Sequence, residues 1–121
     1  MKRSLYNAWL KALETAPKTK RHLKDDTGMC CLGVLCSITP EATFFKGDND
    51  DVYTVAYGKD TSSSVLPWDL SFELGINVSG ASKRYPYATP LTILNDANDT
   101  FEPVIAVLRN NPEHYFNIEE D

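Results

Sequence analysis

Apolar residues near the start of the chain recur at every third or fourth position, which is the spacing of one face of an α-helix. The residues that follow this pattern are Leu5, Ala8, Trp9, Ala12 and Leu13. Ser4 precedes them and is a favoured N-cap residue, and Pro17 interrupts the pattern. We therefore predict an amphipathic N-terminal helix over residues 4–15.

A second apolar segment, residues 30–38, has almost no polar interruption and contains all three cysteines of the chain. Its periodicity alone does not distinguish a buried helix from a buried strand. Gly33 and Cys36 are small enough to let a neighbouring element approach closely, and this favours a buried central helix. A turn at residues 25–28 precedes this helix, and Pro40 follows it.

The segment after the central helix alternates between turn residues and one short regular element. Residues 44–51 are rich in turn formers and predict a loop. Residues 52–57 are rich in β-branched and aromatic side chains and predict a strand. Residues 58–64 predict a polar, flexible connection.

The second half of the chain contains residues that favour helix starts and helix ends. Pro67 and Gly75 fit the start and the end of a short helix over residues 68–74. Residues 77–87 predict irregular structure because prolines interrupt regular elements. A helical turn is expected over residues 90–95.

A last amphipathic stripe predicts a C-terminal helix from about Phe101, preceded by a cap at residues 99–102. Residues 110–112 end this helix, and residues 118–121 predict a frayed acidic tail. Together these elements predict one α+β domain over residues 1–121. It has an N-terminal helix, a buried central Cys-rich helix, a small β element and a C-terminal helix.

Charge argues against a nucleic-acid-binding surface, since the 121 residues carry a formal net charge of −5. One short basic cluster, formed by Lys18, Lys20, Arg21 and Lys24, is followed at once by two aspartates. Because charge runs are usually hydrated, we interpret this cluster as a solvated loop or strand edge.

The sequence favours a cytoplasmic protein with reduced thiols. Its first residues lack the apolar core of a secretory signal, and no stretch approaches the roughly 20 apolar residues that cross a bilayer. Three cysteines, two of them adjacent, make a poor disulfide framework.

Two segments resemble a group of short, functionally uncharacterised bacteriophage proteins. The cysteine motif Gly-Met-Cys-Cys-Leu-Gly-Val-Leu-Cys at residues 28–36 carries most of the resemblance. Leu-Thr-Ile-Leu-Asn-Asp at residues 91–96 supports it, as do a Trp-containing first helix and the Leu66-Pro67 helix start. The resemblance covers most of the chain and implies a viral origin, without a mechanism. Where the group usually has a glycine-containing turn, this chain has Ala97-Asn98-Asp99, and we expect Asn98 to serve a left-handed turn.

A cysteine-dependent hydrolase or transferase is the sharpest chemical hypothesis. Cys30 or Cys31 would be the nucleophile if a helix N-terminus lowered its pKa, with His22 or His114 as the base. Asp25, Asp26 or Asp96 would orient that base. Buried cysteines usually pack as small apolar side chains, and we favour this interpretation.

A metal site is not expected, and neither is a cofactor. The adjacent cysteines lack the spacing of a zinc knuckle. Two acidic loops, residues 48–51 and 95–99, offer oxygens to Ca²⁺ or Mg²⁺ but do not match the calcium-loop pattern. Asn and Asp also form turns and caps by themselves, which is the favoured interpretation of both loops.

A mixture of aromatic and cationic residues in the middle of the chain suits a ligand or partner site, although closure of the core is the favoured interpretation of the aromatic rings. The predicted site consists of Trp68, Lys83, Arg84, Tyr85 and Tyr87. With the viral resemblance and the acidic charge, it favours a non-enzymatic phage accessory protein. We expect such a protein to bind a host protein or a small host ligand, with a role in countering host defence.

Overall fold

A computed structural model describes residues 1–47, 51–82 and 88–121. The described residues form helices around a small antiparallel sheet, which confirms the predicted α+β class. In chain order the elements are α1 (Arg3–Leu13), α2 (Cys31–Ser37), β1 (Thr43–Lys46), β2 (Tyr53–Tyr57), β3 (Asp60–Ser62), α3 (Trp68–Leu74), α4 (Leu91–Ala97), α5 (Glu102–Asn110) and a 3-10 helix (Pro112–His114).

Helix α1 buries one face, formed by Tyr6, Trp9 and Leu13. Trp9 and Leu13 belong to the predicted apolar stripe, but Ala8, also placed in that stripe, is exposed, and the buried Tyr6 was not part of it. Its start differs from the prediction, because Lys2 is the N-cap residue and makes no side-chain capping bond. Ser4 lies inside the helix, where its hydroxyl donates to the Asp121 carboxylate. The capping role predicted for Ser4 is therefore wrong.

Helix α2 is the centre of the core and confirms the predicted buried Cys-rich helix. All of its residues except Ser37 are buried, and Cys30 is its N-cap. The helix packs against α1 and α4. A Cβ atom on Gly33 would lie 1.8 Å from the Leu23 carbonyl oxygen, so only glycine allows this approach.

The sheet is larger than the sequence predicts. Strand β2 confirms the expected strand, but β1 and β3 pair with it on either side in segments predicted to be a loop and a flexible connection. Val55 in β2 is fully buried, whereas β1 is mostly exposed. The flanking strands are thus held by backbone pairing with β2 more than by apolar burial. Strand β3 is polar, and β1 has two adjacent aromatic residues without alternation, so neither sequence reveals that pairing.

The remaining helices agree closely with their predicted positions. Gly75 ends α3 in the left-handed conformation, with φ 72°. The predicted turn over residues 90–95 is a complete helix, α4, and Asn98 after it is extended with φ −131°. The left-handed turn expected at Asn98 is therefore wrong.

The C-terminal residues contradict the predicted frayed tail. The Arg3 backbone N–H donates to the Glu119 carbonyl at 2.9 Å, and the Glu119 N–H donates to the Met1 carbonyl at 2.8 Å. The Arg3 guanidinium also contacts the Glu120 carboxylate at 2.7 Å. These bonds join both ends of the described chain beside α1, so residues 118–121 are ordered by pairing.

Candidate functional site

All three cysteines lie in the core, and the sulfur atoms of Cys30 and Cys31 contact backbone groups. The Cys30 Sγ accepts a hydrogen bond from the Gly33 N–H at 3.4 Å. The Cys31 Sγ donates to the Leu91 carbonyl at 3.7 Å. Within the described ranges no cysteine sulfur has a histidine as a hydrogen-bond partner, so the predicted thiol–imidazole pair is not assembled.

Burial sets the chemistry of these thiols. Desolvation raises the pKa of Cys30, raises the pKa of Cys31 well above its usual value, and raises the pKa of Cys36 to about 12. Neutral thiols are poor nucleophiles, because the thiolate is the reactive form. Burial outweighs the backbone amides at the start of α2, which act to lower the thiol pKa, so the low thiol pKa that the enzyme hypothesis requires is not produced.

His22 and His114 lie in different parts of the fold. His22 is half-buried in the loop that precedes α2, and His114 is half-buried in the 3-10 helix beside Tyr115. Asp25, a candidate to orient a base, instead accepts hydrogen bonds from the Thr27 and Gly28 amides, at 2.8 and 3.2 Å. These bonds form the turn that the sequence predicts at residues 25–28.

A fully buried amide connects the cysteine helix to its surroundings. The Asn95 Oδ1 accepts from the Cys31 N–H at 3.0 Å, and the Asn95 Nδ2 donates to the Thr19 carbonyl at 3.0 Å. Sequence reasoning missed this role, because Asn95 was grouped with an acidic loop. The available signal was its place four residues after Leu91, on the buried face of a predicted helical turn.

Residues 95–99, interpreted from the sequence as turn and cap residues, contact a cation that the chain itself supplies. The Lys18 ammonium donates to the Asn95 and Asn98 carbonyls, each at 2.6 Å. The Asp99 carboxylate pairs with Lys20 at 2.9 Å. Desolvation lowers the pKa of Lys18, as expected for an ammonium that is partly removed from water.

The part of the chain that the structure describes contains no group of three or more His, Cys, Asp or Glu residues arranged to hold a metal ion. Of the other acidic loop, residues 48–51, only Asp51 is described. Four members of the predicted partner site, Lys83, Arg84, Tyr85 and Tyr87, also lie outside the described residues.

The fifth member, Trp68, lies on an exposed aromatic face of α3, which we define as Trp68 and Phe72. Trp68 is 67% exposed and Phe72 is 82% exposed. They are four residues apart and so lie on the same side of the helix. Phe72 was missed, although its spacing from Trp68 in a predicted helix was the signal. The opposite side of α3 buries Leu70 and Leu74.

Polar contacts fix α3 against the sheet. The Asp69 carboxylate accepts from the Lys59 N–H at 3.1 Å, and the Asp69 N–H donates to the Asp60 carboxylate at 2.9 Å. The Tyr57 hydroxyl donates to the Glu73 carboxylate at 2.5 Å. This hydrogen bond is the main reason that the pKa of Tyr57 rises to about 12. The aromatic face is thus presented on an anchored element.

Beside the aromatic face lies a pocket of about 230 Å³ with an acidic lining. Phe72 and Phe116 line it, together with three glutamates, Glu73, Glu113 and Glu119. Carboxylates next to aromatic rings suit a cationic side chain, because both carry negative potential toward it.

Comparison with known proteins places the chain in a family. The family model described as "Domain of unknown function (DUF8296)" matches residues 1–112, so the chain belongs to this family. No curated protein and no solved structure matches the chain significantly. Among the described residues, no helix is long and apolar enough to cross a membrane.

Proposed function

We propose that this member of the DUF8296 family is a non-enzymatic binding protein that docks a basic protein partner on the aromatic face of α3. The observation that carries the proposal is the exposure of Trp68 and Phe72, 67% and 82%, side by side on one helix. Large aromatic rings held in water on an anchored element are typical of an interface.

The acidic surroundings select the chemistry of the partner. Glu73, Glu113 and Glu119 line the pocket next to Phe72, and the chain carries a net charge of −5. A partner with Lys or Arg beside apolar side chains would match both the rings and the carboxylates. We therefore commit to a basic protein segment as the occupant of this face, with an Arg or Lys side chain in the acidic pocket.

The viral resemblance supports a biological setting for this activity. The cysteine motif at residues 28–36 resembles that of short bacteriophage proteins, and a phage accessory protein would act in the cytoplasm of its host. A basic host protein that engages nucleic acid would be a suitable target, because an acidic surface competes for the same cationic groups. Blocking such a protein would counter host defence.

The buried state of the cysteines supports a binding protein over the alternative of a cysteine-dependent hydrolase or transferase. Cys30, Cys31 and Cys36 are all buried, and burial raises each thiol pKa. No observation favours a reactive cysteine over three cysteines that pack in the core as small apolar side chains.

Tryptophan fluorescence makes the proposal directly testable, because only one of the two indole rings is exposed. The chain has two tryptophans, and Trp9 is fully buried whereas Trp68 is mostly exposed. A partner captured from host lysate is purified and titrated at low salt while Trp68 emission is recorded. Docking on α3 will shift that emission to shorter wavelength and protect Trp68 from acrylamide quenching.

Matched variants locate the interface. We expect Phe72→Ser to weaken binding at least tenfold, since central aromatic anchors contribute about 2 kcal/mol or more. Ile93→Ser is the control, because Ile93 is 56% exposed on α4 and outside the proposed face. Equal affinity of Phe72→Ser and the parent would overturn the proposal, as would a captured partner that is a small molecule or an acidic protein.

A further inference from the structure

The loop before α2 carries a strained arginine. Arg21 has φ 72°, and Glu41 is the other non-glycine residue with positive φ among those described. The Arg21 N–H donates to the Asp96 carboxylate at 3.0 Å, and this bond holds the backbone in place. Non-glycine residues held in this conformation cluster at ligand-binding sites, where the surrounding structure imposes the geometry.

The Arg21 side chain is available to a ligand. It is exposed, and in the described part of the chain its guanidinium makes no hydrogen bond or ion pair. It lines an open groove of about 460 Å³ together with Lys20 and His22. This volume lies within the range of small-molecule sites, about 300–1,000 Å³.

Two carboxylates also line this groove, and neither blocks an anion. The Asp25 carboxylate is occupied by the Thr19 hydroxyl and by the Thr27 and Gly28 amides. Asp99 pairs with Lys20 at 2.9 Å, but its side chain is 95% exposed. Such exposed ion pairs contribute little, so this pair opposes phosphate binding at Lys20 only weakly.

We propose that this groove binds the terminal phosphate of a small phosphorylated molecule. Arg21 provides the planar fork that matches phosphate oxygens, and Lys20 and His22 supply further donors. The acidic remainder of the chain excludes a long polyanion, because nucleic acid requires phosphate contacts along an extended basic surface. The site is independent of the aromatic face on α3.

Inorganic pyrophosphate is the probe, because it tests recognition of phosphate groups without any contribution from a sugar or a base. It is titrated at low salt into the full-length protein, and the backbone amides of residues 20–22 are followed by NMR. We expect saturable shifts at these amides in the parent. Arg21→Gln will weaken the interaction at least tenfold, whereas Lys11→Gln will leave it unchanged. Lys11 is an exposed residue of α1, and its substitution changes the net charge equally.

Two results would overturn the inference. One is a parent whose amides at residues 20–22 show no saturable shift. The other is an equal loss of affinity in Arg21→Gln and Lys11→Gln, which would show that binding depends on the net charge of the protein and not on Arg21. Adenosine monophosphate and glucose 6-phosphate, titrated in parallel, distinguish a nucleotide from a sugar phosphate as the source of the phosphate.

Discussion

At the scale of single residues, small side chains were the most informative part of the sequence. The sequence predicted that Gly33 would let a neighbour approach α2, and the contact with the Leu23 carbonyl confirms it. It did not indicate which neighbour would approach, because that depends on the path of an irregular loop. Nor did it indicate that Phe72 would be exposed beside Trp68, since aromatic residues usually close a core.

The thiols give a residue-scale prediction that separates binding from catalysis. Native protein treated with iodoacetamide near pH 7.5 will keep all three cysteines unmodified. Burial keeps the reagent from the sulfur atoms, and by raising the thiol pKa it keeps the thiols protonated. In denaturant all three will react. Mass spectrometry of the intact protein reads the outcome, and rapid native modification of Cys30 or Cys31 alone would restore the enzyme hypothesis.

At the scale of elements, predictions succeeded where a segment carries its own signal. Helices α1, α2, α3 and α5 have apolar periodicity, caps or stop residues in their own sequence, and all four were predicted. Strands β1 and β3 were missed because β2 supplies their pairing. For the same reason the contact of Asn95 with α2 could not be predicted, since 64 residues separate Asn95 from Cys31.

From the Asn95 contacts we expect that the single substitution Asn95→Ala will cause a large loss of stability. Asn95→Ala leaves the Cys31 amide and the Thr19 carbonyl without their buried partners. Each unsatisfied group costs about 1–3 kcal/mol, so we expect a loss of about 2–6 kcal/mol in the free energy of unfolding. Urea denaturation measures it.

Asn111→Ala is the control for this experiment, since Asn111 is exposed after α5. Its cost should stay within about 0.5 kcal/mol. If Asn95→Ala were no more damaging than this control, the buried amide would not connect α2 to the loop before it.

At the scale of the whole molecule, the two ends of the described chain stabilise each other. Glu119 pairs with Met1 and Arg3 through backbone hydrogen bonds, and the Met1 amino group donates to the Asn117 carbonyl at 2.9 Å. The tail was predicted to fray because its own composition is acidic and polar. The composition of residues 118–121 reflects that segment alone, whereas its order depends on hydrogen bonds to Met1 and Arg3 at the other end of the described chain.

Removal of residues 119–121 tests this pairing. Two backbone hydrogen bonds are lost, and at about 0.5–1.5 kcal/mol each we expect a loss of about 1–3 kcal/mol in stability. The loss will persist at 1 M salt, since backbone bonds are screened far less than exposed ion pairs. Thermal unfolding at low and high salt measures both effects. A tail that frays would leave the melting temperature unchanged, and one held by ion pairs alone would lose its contribution in salt.

The contacts of α1 have a consequence for synthesis on the ribosome. The Tyr6 hydroxyl donates to the Leu108 carbonyl, a partner 102 positions later in the chain. Helix α1 therefore leaves the ribosome long before α5 is made, and its apolar face stays without that partner for most of translation. Chains dominated by such distant contacts fold slowly and expose apolar surface while they wait. Nascent chains stalled before residue 100 should accordingly bind chaperones through α1 and release them once α5 has emerged.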